Sequence, residues 1–168
     1  MKKFCQTVLA VLLLLSLCAC SLTEEERRQQ ALDELNENSD LPFALTLPET
    51  ELGDTGGYQR GEGWGCYSLE NEDIWISLSG YPDVQDPYHV TDTILQTPRY
   101  SVFGLRVGDT AGQAAEILKP RGYRPAPKDG WSILYEKDGV FIRLEFDEGQ
   151  ISALTVFVES TNVEGVYF

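Results

Sequence analysis

The apolar positions of this chain change their spacing from one stretch to the next, and each spacing predicts a different element. Val8 to Leu17 is an uncharged run of ten residues that follows Lys2 and Lys3. Ser21 to Asp40 is polar, and Thr23 followed by Glu24, Glu25 and Glu26 has the form of a capping box, with carboxylates on the positive end of a helix. A short helix to about Glu37 is expected, with Glu24 placed to pair with Arg28. Its only apolar positions are Ala31, Leu32 and Leu35, so it has no broad face to bury and reads as a tether that Asn36 to Pro42 ends. Such a spacer would hold the rest of the chain on the order of 25 Å from its point of attachment.

From Leu41 the period becomes that of strands. Ile74, Ile76 and Leu78 alternate with Trp75, Ser77 and Ser79, which predicts a half-buried strand; Gly65 to Leu69 should pair with it, and Tyr88 to Gln96 should form the next strand. Gly108-Asp109-Thr110 opens a helix with Ala111, Ala114, Ala115 and Leu118 on one face, stopped by Pro120 and Gly122. Trp131 to Glu136, Val140 to Phe146 and Ile151 to Glu159 follow as a meander whose turns are Asp138-Gly139 and Asp147-Glu148-Gly149. Val140, Ile142, Leu144 and Phe146 share the face the helix should cover, and Phe141, Arg143 and Glu145 share the other. Ile74-Trp75-Ile76-Ser77-Leu78 parallels Val140-Phe141-Ile142-Arg143-Leu144. The expected fold is therefore α+β: antiparallel three-stranded meanders in two diverged repeats, with one packed helix, divided as 41–103 and 104–168.

The first twenty residues carry a further pattern. Two lysines, the apolar run, then Leu17-Cys18-Ala19-Cys20 resemble the signal peptide and lipobox of bacterial lipoproteins. Ten apolar residues are too few for a membrane span, which needs about 20. The resemblance implies removal of 1–19 and a diacylglycerol thioether on Cys20, with or without an N-acyl chain, so that 20–40 becomes a lipidated polar tether. It places the protein on the extracytoplasmic face of a cell membrane or outer membrane. Two acyl chains, at about 0.8 kcal/mol per buried methylene, exceed the marginal hold of one.

Removal of Lys2 and Lys3 leaves 11 basic against 27 acidic side chains, a net charge of −16. A surface this acidic disfavours nucleic acid and is repelled by anionic head groups, so attachment rests on the acyl chains. Cys5 and Cys18 leave with the signal peptide and Cys20 is acylated, so Cys66 alone stays free and no intrachain disulfide can form. About 130 residues suffice for a core without such staples.

Gly104-Leu105-Arg106-Val107-Gly108-Asp109-Thr110, then an Ala-rich helix and a meander with a Gly turn, resemble the SmpA/OmlA and β-lactamase-inhibitor-protein type of fold over about residues 88 to 159. That resemblance implies a noncatalytic, protein-binding α+β module, in tandem for the inhibitor proteins and often lipid-anchored for the outer-membrane assembly proteins.

Catalytic and cofactor motifs are not evident. There is no Gly-x-Ser-x-Gly elbow, His-Glu-x-x-His or Gly-Lys-Ser/Thr loop, and Gly61-Glu62-Gly63-Trp64-Gly65 precedes a strand rather than a helix. Glu70, Glu72 and Asp73, or Asp83 and Asp86, lack the spacing of a calcium loop. Cys66 packs as a small apolar residue unless His89, the only histidine, lies close enough to act as its base. No metal or cofactor beyond the lipid is therefore expected. Two surface features stand out: the basic run Lys119, Arg121, Arg124 and Lys128, and the aromatics Trp64, Trp75, Tyr81, Tyr88 and Tyr100 beside loops. Both point to a membrane-anchored scaffold that contacts a protein of the cell envelope. The rival is a domain that binds a small ligand or carbohydrate, or hydrolyses one.

Overall fold

Eight antiparallel strands and two α-helices make up the fold, an α+β arrangement, in a computed structural model that describes residues 22–48, 51–52, 58–60, 66–69, 74–79, 89–126 and 132–158. In order these are α1 (Glu24–Asn38), β1 (Tyr58–Arg60), β2 (Cys66–Leu69), β3 (Ile74–Ser79), β4 (His89–Leu95), α2 (Ala111–Leu118), a short 3-10 helix (Lys119–Arg121), β5 (Arg124–Ala126), β6 (Ser132–Lys137), β7 (Val140–Asp147) and β8 (Gln150–Val158). The strands lie in the order β1-β2-β3-β4-β8-β7-β6-β5. The two expected three-stranded meanders are present as β2-β3-β4 and β6-β7-β8, but each gains an edge strand that the sequence did not predict, β1 and β5, and β4 pairs with β8 to join the two, so the described strands of 41–103 and 104–168 share one sheet.

Each helix begins at a reciprocal cap. The Thr23 hydroxyl accepts from the Glu26 N–H at 3.2 Å while the Glu26 carboxylate accepts from the Thr23 N–H at 2.8 Å. These bonds, the backbone one first, hold the Glu26 carboxyl below its ordinary pKa. Thr110 and Gln113 repeat the arrangement at α2. α2 ends as expected: Pro120 lies in the 3-10 turn and Gly122 takes a left-handed φ of +88°.

The structure corrects the tether. α1 buries Ala31, Leu32 and Leu35 in the same cluster as the sheet, and the Asn36 side chain both donates to and accepts from the Leu45 backbone. Lys137 pairs with Glu34, Arg27 Nε lies 3.5 Å from Asp138, and the strand-like bridge Asp40–Ser101 ties down the far end. Two leucines buried this way contribute about 1.5–3 kcal/mol each as an upper estimate. The helix thus belongs to the core although its apolar stripe is narrow, because only one stripe faces the sheet. Two packed helices replace the one expected. Both bury an Ala and the Leu four positions later: Ala31 and Leu35 in α1, Ala114 and Leu118 in α2.

Register makes the core. Tyr135, Ile142, Val156, Thr93 and Ile76 are successive partners across β6, β7, β8, β4 and β3, and all are buried. The parallel row Leu144, Leu154, Leu95 and Ile74 is buried too. Phe146, expected on this face, pairs with buried Ile151 and packs half-buried against the cluster, just past a register shift between Glu145 and Phe146. Asp138-Gly139 and Glu148-Gly149 both take positive φ at their two central residues, the backbone that a two-residue hairpin requires.

Candidate functional site

The sheet has a second face, which the described helices do not cover. Leu134, Arg143, Thr155, Ile94 and Trp75 are successive partners across β6, β7, β8, β4 and β3 on it, and Glu136, Phe141, Phe157 and Asp92 form the neighbouring row. Thr155 is buried between longer neighbours; Leu134, Phe141, Arg143, Ile94 and Phe157 are half-buried; Trp75 is 50% exposed. Phe141 and Phe157 stack with ring centroids 4.9 Å apart and planes 11° from parallel, and the Arg143 guanidinium lies 5.3 Å from the Phe157 centroid. Such ring contacts add about 0.5–1.5 kcal/mol each beyond area burial and hold the surface in one shape. The result is an aromatic and aliphatic strip with charges at intervals.

The residues singled out from sequence are scattered. Trp75 lies on this face. Tyr100 packs against the core with Arg99 5.4 Å from its ring centroid. Cys20, Trp64, Tyr81, Tyr88 and Lys128 lie outside the described residues, as do Glu70, Glu72, Asp73, Asp83 and Asp86. Within the basic run, Lys119 and Arg124 are exposed, whereas Arg121 donates to the Ile117 carbonyl at 2.6 Å and covers Phe103 at 5.1 Å, which ties it into the fold.

Cys66 pairs with Ser77 and His89 with Ser79, on opposite sides of β3. Their backbones are thus two strands apart and offset by two residues, roughly 12 Å. Among the described residues no three His, Cys, Asp or Glu side chains gather as a metal site, and no helix is long and apolar enough to cross a membrane.

Sequence reasoning overlooked Phe157, Ile94, Thr155 and Leu134 as members of one surface. A signal existed in β8: Ala153, Leu154, Thr155 and Val156 form a run without alternation, which marks a central strand occupied on both faces. No known protein family, curated protein or solved structure matches this chain.

Proposed function

We propose that the protein is a lipid-anchored, noncatalytic binding module of the cell envelope that engages a protein partner through the open face of its sheet. Residues 1–19 serve as the export signal, Cys20 carries the diacylglycerol, and the folded body stands on the extracytoplasmic side of a cell or outer membrane. The observation that carries the reading is Trp75, half-exposed at the end of the cross-strand row Leu134, Arg143, Thr155 and Ile94, on the same face as the stacked Phe141–Phe157 pair. A face that interrupts apolar side chains with Arg143, Glu136, Glu145 and Asp92 suits a protein surface better than hydrocarbon. A net charge of −16 on each mature chain opposes self-association and favours a partner with a basic rim.

The order α1-β1-β2-β3-β4 followed by α2-β5-β6-β7-β8 supports reading the chain as two diverged copies of one unit. The sheet order is symmetric about the β4–β8 pair, both helices start at a Thr-capped box, and both bury Ala and Leu four apart. The open face then crosses the junction of the copies.

Affinity capture from solubilised membranes tests the function. Wild-type protein is expected to retain a specific partner that the Trp75→Ser, Phe157→Ser double variant loses while staying folded. Capture of no protein, together with measurable binding or turnover of a glycan or peptide by the wild type, overturns the reading in favour of a small-ligand domain.

A further inference from the structure

We propose that the folded body sits directly on the bilayer, with the β6–β7 turn and the first turns of α1 toward the head groups and Leu22 in the interface. This rests on the lipid-anchor reading. Only Ser21, Leu22 and Thr23 separate Cys20 from Glu24, the first residue of α1. Four residue steps reach at most ~14 Å. α1 cannot extend that reach, because it is packed: Ala31, Leu32 and Leu35 are buried, Arg27 pairs with Asp138, Glu34 pairs with Lys137, and the Arg28 side chain lies against Gly139. The end of the helix nearest the lipid is therefore the end beside the β6–β7 turn.

Leu22 is the second, independent observation. Among the described residues only Leu22 and Trp75 are large hydrophobic side chains with substantial exposure, 42% and 50%. Trp75 belongs to the open face. Leu22 is two positions beyond the acylated cysteine, and its carbonyl accepts from Arg27 Nη1 at 2.8 Å, which fixes it to the start of α1. The exposed side chain thus lies within reach of the head-group region, where burial is favourable. Arg27, Arg28 and Lys137 stand among the carboxylates of this end, so it is not uniformly repelled by anionic head groups. From the β6–β7 turn, the eight residues of β7 run roughly 26 Å to the β7–β8 turn. The strands accordingly point outward, and the open face is presented sideways to a partner in the envelope.

Amide NMR of the lipidated protein in nanodiscs of phosphatidylethanolamine and phosphatidylglycerol, doped with a gadolinium-labelled lipid head group, reads this without any substitution. Gly139 and Gly149 mark the two ends of β7. The Gly139 signal is expected to broaden several-fold more than that of Gly149, and a flexible Gly-Ser insertion between Leu22 and Thr23 is expected to even them out. Equal broadening in the native protein, or stronger broadening at Gly149, overturns the orientation while leaving the anchor standing. Protein that fails to co-migrate with the nanodiscs overturns the anchor and the orientation together.

Discussion

Tyr123 shows how much one buried hydroxyl can set the response of this protein to pH. Its side chain is buried against Phe103 and Lys137, and its hydroxyl has no hydrogen-bond partner among the described residues. Burial, then the Glu34 and Asp138 carboxylates, hold the phenol neutral well above its ordinary pKa. A folded pKa above the unfolded value of about 10 gives stability that is complete below that pH and is lost as pH rises beyond it. Tyr123→Phe is expected to flatten this alkaline loss, leaving the smaller share from Tyr135, whose phenol burial also raises. At about pH 8 the same variant should be more stable by about 1 kcal/mol, because it removes a desolvated hydroxyl that finds no partner among the described residues. Urea titrations on either side of pH 10 check both. Trp75→Ser, by contrast, should change stability by no more than about 0.5 kcal/mol, since its side chain is half in water.

Helix α1 separates local from tertiary information at the scale of an element. Its cap and its ends were legible in Thr23, Glu26 and the Asn36–Pro42 break, because capping is decided within one turn of chain. Its burial was not. Three apolar residues give a narrow stripe, and what makes the stripe sufficient is the groove it meets, closed by Leu45, Ser101 and the β6–β7 turn. Leu35→Ala should therefore cost about 2–5 kcal/mol in a urea titration, where a tether would lose nothing. Thr110→Ala at the α2 cap should cost about 1 kcal/mol by the same measurement. The open face was half legible: alternation in β7 placed Phe141 and Arg143 together, but only cross-strand register brings Ile94, Thr155 and Leu134 beside them.

At the scale of the whole molecule, the described residues form one sheet and one hydrophobic cluster that runs from α1 through β3 and β4 to β8 and α2. A shared cluster predicts a single cooperative transition, with fluorescence and far-ultraviolet dichroism coinciding in urea; two separable subdomains would give two steps. The strand periods, the hairpin turns at Asp138-Gly139 and Glu148-Gly149, and both helix caps were determined by sequence alone, because each depends on residues within a few positions of one another. The pairing of β4 with β8, the docking of α1 and the composition of the open face were decided only by the tertiary structure. The β4–β8 pairing, which also carries the open face across the sheet, and the contacts of α1 with the β6–β7 turn join residues separated by sixty positions or more, as Thr93 is from Val156 and Glu34 from Lys137, and nothing in local spacing encodes which distant strand or helix will be the partner.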